Sequence, residues 1–195
     1  MGIEFEVNII MKLIEEYNLN IVDDVKVFLI SDTHFFHSNI INYTGRPFKT
    51  AEDMNETIFN KWNDTIGEND IVIFCGDFVC GIRKKHNISN VIYKSLNGIK
   101  YFLKGNHDTL KGINYQLYNR ITFKIFDKRI ICQHYPIVPE SVDCDIAIVG
   151  HSHNNDNPMK TIYKLNNQIN VSCELINYTP IQLTKDLIDE KNWSK

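Results

Sequence analysis

Val25-Lys26-Val27-Phe28-Leu29-Ile30 runs straight into Ser31-Asp32-Thr33-His34. A short apolar run rich in β-branched residues reads as a buried strand, and the polar residues that end it carry a carboxylate and an imidazole. The arrangement recurs along the chain. Ile71-Val72-Ile73-Phe74-Cys75 precedes Gly76-Asp77, and Lys100-Tyr101-Phe102-Leu103 precedes Gly105-Asn106-His107-Asp108. Arg129-Ile130-Ile131-Cys132 precedes His134, and Asp145-Ile146-Ala147-Ile148-Val149 precedes Gly150-His151-Ser152-His153. Apolar strands that each end in a candidate ligand gather those ligands along one rim of a sheet. Glycine in three of these turns is expected to let the backbone bend sharply beside the site. Six of the 7 histidines lie in or beside these motifs. With Asp32, Asp77 and Asn106 they form the mixed oxygen and nitrogen set expected of a site for two divalent transition metals.

Helices are expected between the strands. Thr50 with Asp53 resembles a capping box, and Met54, Ile58, Trp62 and Ile66 behind it mark one buried face. Ile88, Val91, Ile92 and Leu96 predict a second helix, stopped by Asn97-Gly98. At the N-terminus, Phe5, Ile9, Leu13 and Tyr17, with Ile10 and Ile14 alongside, predict an amphipathic helical extension over residues 1–20. Later segments read as hairpins. Ile121 to Phe126 turns at Asp127-Lys128, and Thr161 to Leu165 turns at Asn166-Asn167. Strands and helices alternate early and hairpins follow late, which predicts a mixed α/β fold of two stacked mixed β-sheets flanked by helices. No linker divides the chain, so residues 1–195 are expected to form a single domain.

The composition, 43% hydrophobic and 23% charged, is that of an ordinary globular chain. No apolar run approaches the roughly 18 residues of a membrane span, and Met1 to Glu6 carries no basic region of a secretory signal. A cytoplasmic location is therefore expected, with no membrane partner. The 5 cysteines are odd in number and form no Cys-x-x-Cys pair, so neither a disulfide nor a thiolate metal site is assigned. The net charge of −3 counts against a dedicated nucleic-acid surface. It does not count against a phosphorylated substrate, because bound cations would make the site locally positive.

Asp-x-His, Gly-Asp, Gly-Asn-His-Asp, a separate His and Gly-His-x-His, in this order, resemble the calcineurin-like metallophosphoesterase superfamily from residue 25 to about residue 183. Ser31-Asp32-Thr33-His34-Phe35-Phe36-His37, Gly45-Arg46-Pro47-Phe48 and Asn177-Tyr178-Thr179-Pro180 are similar to a branch of small bacterial and phage phosphoesterases. The resemblance implies a four-layer αββα sandwich. It also implies that Asp32, His34 and His153 hold one metal, that Asn106, His134 and His151 hold the other, and that Asp77 bridges them. Two divalent ions are implied, with Mn expected and Fe, Ni, Co or Zn compatible by ligand type. His107 is implied as the general acid, with Asp108 orienting its ring. His37 and Arg46 are candidates for contact with a substrate phosphate, and the aromatic-rich segment Phe35 to Phe48 is the expected substrate wall.

The implied function is hydrolysis of phosphate esters by a hydroxide bridging the two metals. The leading reading is a phosphodiesterase acting on a small phosphorylated molecule or nucleotide. The alternatives are a nuclease on nucleic-acid ends, a small-molecule phosphomonoesterase, or a catalytically inactive metal-binding interaction scaffold. One departure separates the chain from the protein phosphatases of the superfamily, which continue Gly-Asp-x-x-Asp-Arg-Gly. Here the run is Gly76-Asp77-Phe78-Val79-Cys80-Gly81-Ile82, without the second Asp or the phosphate-gripping Arg.

Overall fold

The computed structural model describes residues 13–21, 25–81, 85–137, 142–155, 164–165 and 167–189. Among these residues ten strands are formed: β1 (Leu13–Asn18), β2 (Val27–Ile30), β3 (Ile71–Phe74), β4 (Ile99–Leu103), β5 (Leu117–Ile125), β6 (Lys128–Gln133), β7 (Ile146–Val149), β8 (Lys164–Leu165), β9 (Gln168–Asn170) and β10 (Ile181–Gln182). The helices are α1 (Ser38–Thr44), α2 (Ala51–Thr65), α3 (Lys85–Ser95) and α4 (Lys185–Ile188). The strands hydrogen-bond in the order β10-β2-β3-β4-β5-β6-β7-β9-β8, with β1 alongside β5. β2 to β5 run parallel, β5 and β6 form an antiparallel hairpin, and β6, β7 and β9 run parallel again. The fold is therefore mixed α/β, as the sequence predicts.

The two halves of this sheet close on each other. Ser31, just past β2, pairs with Ser172, just past β9. Ser31 N donates to Val171 O at 2.9 Å, and Cys173 N donates to Ser31 O at 3.1 Å. Side chains that alternate along each strand fall into two apolar clusters. Val27, Leu29, Ile71, Ile73 and Leu103 from one half meet Ile121, Phe123, Ile130, Cys132, Ile148 and Ile169 from the other. Phe28, Ile30, Val72, Phe74 and Phe102 point the opposite way, against Met54, Ile58 and Trp62 of α2 and Ile92 of α3. Strands covered on both faces read as near-continuous apolar runs. The sheet doubled on itself is the physical form of the stacked sheets expected from sequence, held as one continuous hydrogen-bonded path.

The α2 helix begins as its capping residues predict, with Thr50 Oγ1 accepting from Asp53 N at 3.1 Å. The next helix, α3, ends at Ser95, two residues before Asn97, whose backbone carbonyl accepts from Trp62 Nε1 at 3.1 Å. The first hairpin turns one residue earlier than expected, at Phe126-Asp127, both with positive φ (52° and 59°). Two left-handed residues give the type I′ geometry that matches strand twist. The second hairpin pairs Leu165 with Gln168, as expected.

The expected N-terminal helix is corrected over Leu13–Asn18 alone. Residues 1–12 lie outside the described part, and Leu13–Asn18 is a strand parallel to β5, pairing Leu13 with Leu117 and Asn18 with Thr122. β4 pairs with β5 only at Leu117 and Tyr118. The next residues of β5 present free backbone groups on that edge, and β1 satisfies them. Tyr17 adds ring contacts with Tyr118 (5.1 Å) and Tyr101 (5.9 Å). Tertiary pairing overrides a helical periodicity that had no partner of its own.

Trp62 has no exposed surface and anchors α2 to β3 and β4. Trp62→Ala is expected to cost about 3–5 kcal/mol, read from the urea midpoint of unfolding. A shift equivalent to less than about 1 kcal/mol would show that α2 is not held by this ring.

Candidate metal centre

The loops after β2, β3, β4, β6 and β7 bring the candidate ligands to one rim. The backbone after β2 runs beside the backbone after β3, with Asp32 N donating to Gly76 O (2.9 Å) and His34 N to Asp77 O (3.0 Å). Five of the seven candidate ligands have positive φ: Asp32 (57°), His34 (48°), Asp77 (62°), His151 (68°) and His153 (50°). Such residues cost of order 1–3 kcal/mol each and cluster at functional sites. Asp and His tolerate the left-handed region better than most side chains.

Among the three glycines of these turns, only Gly76 has positive φ (96°). Gly105 and Gly150 serve by lacking a Cβ instead. One at Gly105 would overlap the Asp77 carboxylate, and one at Gly150 would overlap Ser31 Oγ and press to 2.6 Å from Asp32 Oδ2. The expected sharp bend is therefore a close approach at those two positions.

The donor atoms converge. Asp77 Oδ2 lies 3.5 Å from His34 Nε2 and also 3.5 Å from His134 Nε2. Asp32 Oδ1 lies 3.9 Å from His34 Nε2 and 3.8 Å from His153 Nε2. Asn106 Oδ1 lies 2.9 Å from His134 Nε2 and 3.1 Å from His151 Nδ1. Two atoms bound to one cation at about 2.1 Å stand about 3.0–3.4 Å apart at octahedral to tetrahedral angles. Asp32 Oδ1 and both ring nitrogens of His34 are buried without a hydrogen-bond partner. Such atoms are costly unless something compensates them, and a cation is what this donor set compensates best. The residues present therefore fit the expected metals. Asp32, His34 and His153 form one group with metal-ligand spacing, and Asp32, Asp77 and His134 form another. A further group, His34, His37 and Cys80, includes a thiol that the sequence reading left unassigned.

Other groups aim the ligands. His134 Nδ1 lies 2.8 Å from Cys75 O, which can only accept. The proton therefore sits on Nδ1 and leaves Nε2 free towards Asp77 and Asn106. Asp32 Oδ2 accepts from Ser172 Oγ (2.8 Å) and His151 N (3.0 Å), so Oδ1 is the oxygen left over. Asp77 Oδ1 accepts from His107 N at 2.8 Å, so a single oxygen, Oδ2, faces both ligand groups. Burial, reinforced by His153 and Arg46, lowers the His34 pKa far below its ordinary value, so the ring is neutral and able to bind a metal. Burial raises the Asp77 carboxyl to about 6, opposed by His134 and reinforced by Asp32.

Three expectations change. Arg46 was a candidate for a substrate phosphate, but it is buried and spends its donors inside the protein. Nε and Nη2 bond Glu174 Oε1 (2.8 and 2.6 Å), Nη2 also bonds Asp32 O (2.7 Å), and Nη1 bonds Thr33 O (2.9 Å) and Met54 Sδ (3.2 Å). A guanidinium has five N–H groups, so none remains for a ligand. Asp108, expected to orient His107, accepts from the backbone N–H groups of Asp77, Gly105 and Phe78 at 2.8–3.0 Å. It braces the Asp77 loop, while the ring Nδ1 of His107 lies 3.4 Å from Cys80 Sγ. The expected aromatic wall is mostly interior. Phe35 is buried and Phe48 packs on Tyr178, leaving Tyr43 exposed near His37.

His37 does stand at the site. It is half-buried, with ring centroids 5.4 Å from His34 and 6.2 Å from His107. Burial, then His107 and Arg46, lower its pKa.

Glu174 was missed. It sits in a 3-10 turn, Cys173–Ile176, directly after the strand that closes the sheet. Oε1 meets His153 Nδ1 at 3.1 Å, which points His153 Nε2 at Asp32. Burial alone would raise this carboxyl, but the His153 hydrogen bond and the Arg46 charge outweigh it and hold the pKa at about 2. The available signal was an acid inside the apolar run Val171 to Ile176, one more polar interruption at a strand end.

A profile of the calcineurin-like phosphoesterases matches residues 25–138. An uncharacterized protein of Methanocaldococcus jannaschii is 38% identical over 167 residues, 84% of this chain and 89% of that protein. A protein of unknown function from Aquifex aeolicus superposes with a TM-score of 0.62 at 28% identity, over 82% of this chain and 96% of that one. The chain belongs to the calcineurin-like phosphoesterase family. That family comprises metal-dependent hydrolases of phosphate esters, and the converging donors described above are the chain's candidates for holding the metal.

Glu174→Gln keeps the size of the side chain but removes the charge that pairs with Arg46. Metal affinity is expected to fall about 10–100-fold, measured by calorimetric titration of the stripped protein with Mn²⁺. Unchanged affinity would reduce Glu174 to a partner of Arg46 alone. The depressed carboxyl also sets a pH window. Its contribution to stability is present above its ordinary value of 4.5 and is lost as pH falls towards 2. The thermal midpoint of metal-free protein is expected to drop over that range, and to drop less in Glu174→Gln.

Proposed function

We propose that the chain is a phosphodiesterase of small phosphorylated molecules, nucleotides among them. The observation that carries this reading is Asp77 Oδ2, placed 3.5 Å from an imidazole nitrogen of each ligand group. In this reading Asp32, His34 and His153 hold one divalent cation and Asn106, His134 and His151 the other, with Asp77 shared between them. Two such cations supply Lewis acidity at the phosphoryl oxygens and bring the pKa of a shared water towards neutrality. Mn²⁺ is the expected activating ion.

The protein groups then have separate tasks. Asn106 contributes a neutral oxygen, which leaves its cation more electrophilic than a carboxylate would. His107 is exposed at the mouth beside Asn106, where it can donate a proton to the departing alkoxide. Asp108 and Glu174 position Asp77 and His153. His37 faces His107 across the mouth and is placed to meet a phosphoryl oxygen. A diester is favoured over a monoester because the fully spent Arg46 offers nothing to a dianion, and the phosphatase Arg is missing from Gly76 to Ile82.

The test compares bis-p-nitrophenyl phosphate with p-nitrophenyl phosphate on chelator-stripped protein, before and after adding Mn²⁺. Restored cleavage of the diester is expected, and Asp77→Ala should lose both bound metal and turnover. His107→Ala should retain the wild-type metal content while kcat falls about 10²–10⁴-fold. Preference for the monoester would overturn the diester assignment, and equal loss of metal and turnover in His107→Ala would remove its role as acid.

A further inference from the structure

A cleft of about 490 Å³ opens beside the Asn106, His134 and His151 group, with Gly105 and His134 forming its inner wall. Its outer walls come from β1, β5 and the end of β6. Lys104, Arg120 and Tyr135 line it together with Glu15 and Glu16, and Glu16 is the cross-strand neighbour of Arg120. A larger cleft, about 870 Å³, lies at the other end of the strands around Lys26, Lys124 and Phe126, and contains no candidate ligand. Proximity to the ligands, not size, selects the smaller one.

The lining has a definite chemistry. Arg120 directs Nε and Nη2 to Gln133 Oε1 (3.3 and 3.1 Å), which fixes the guanidinium plane and leaves its Nη1 hydrogens unspent by any described residue. Among the described residues Lys104 Nζ makes one hydrogen bond, a long one of 3.4 Å to Gly105 O. Glu15 is tied to Asn119 at 2.6 Å, whereas Glu16 is exposed. Tyr135 is 49% exposed although its ring lies 4.6 Å from that of His151 and 5.0 Å from that of His134. It is an aromatic surface kept at the edge of the ligand cluster. A bare anion would meet Glu15 and Glu16, and a hydrocarbon would leave four charged groups unused. A ligand that joins a planar ring with donors and acceptors to an anionic group uses the Tyr135 ring, the two cations and the carboxylates together.

We propose that this cleft is a nucleoside subsite. The ring of a base lies on Tyr135, Lys104 and Arg120 face its phosphate-bearing side, and the reacting phosphorus sits at Asn106, His134 and His151. The assignment rests on the phosphodiesterase reading for the position of the phosphorus, and on the cleft itself for the ligand.

Two diesters with the same leaving group test it: the p-nitrophenyl ester of thymidine 5′-monophosphate and bis-p-nitrophenyl phosphate. The wild type is expected to favour the nucleoside ester, and the ratio of kcat/KM values should fall about tenfold in Arg120→Ala and in Tyr135→Ala. Mn²⁺ content equal to wild type checks that each variant is folded with its ligands intact, and Lys104→Met provides a second cation variant outside a strand. An unchanged ratio in all three variants would overturn the subsite. Calorimetric titration with thymidine 5′-monophosphate separates the two readings. Binding that Arg120→Ala weakens, with neither diester cleaved, would keep the subsite and remove the phosphodiesterase. Diester cleavage without nucleotide binding would remove the subsite alone.

Discussion

Lone pairs buried face to face are the constraint on which the rest of this protein depends. Asp32, His34, Asp77 and His134 are each at most 2% exposed, and their free oxygens and nitrogens stand 3.5–3.9 Å apart. At that spacing they are too far apart to hydrogen-bond and close enough to repel. Apolar packing alone would let them splay. The raised pKa of Asp77 expresses the same stress, since burial beside another carboxylate favours its protonated form. A divalent cation reverses the sign of each of these terms.

The surrounding scaffold prevents the splaying by hydrogen-bonding one carboxylate oxygen of each of Asp32 and Asp77. Ser172 and the His151 amide take one oxygen of Asp32, and the His107 amide takes one oxygen of Asp77. Asp108 gathers three backbone N–H groups around the same loop. Beneath them Arg46 and Glu174 form a buried ion pair whose other bonds reach the Asp32 and Thr33 carbonyls and the His153 ring. Removing one partner from such a pair leaves a buried charge, which is far more costly than never having had the pair. Positive φ at five candidate ligands is part of the same arrangement, because the backbone is held in a less favoured region so that the side chains face inward.

This division separates what the family supplies from what is particular to this chain. The strand-end motifs define a phosphate-ester hydrolase of the calcineurin-like family. The mouth is built from residues outside those motifs or between them. His37 meets Tyr43 and groups with Cys80, and Lys104, Arg120 and Tyr135 line the cleft beside His134. The proposed function assigns substrate choice to such groups, which can change without disturbing the buried candidate ligands.

The sequence by itself determined the strand-and-motif order, the candidate donors at the strand ends, the α2 helix with its Thr50 cap, and the family. Each of these is read from short segments, the longest being the 15 residues of α2, where period and turn chemistry act locally. Only the tertiary structure decided that Leu13–Asn18 is a strand, because its partner is the edge of β5 a hundred residues away. It also turned Arg46 from a substrate contact into a buried pin, through Glu174, 128 residues distant. Asp108 became a brace for the Asp77 loop for the same reason. A side chain's role follows from which of its donors and acceptors are already taken. That allocation is fixed only when the sheet closes through Ser31 and Ser172 and brings distant loops within hydrogen-bonding distance.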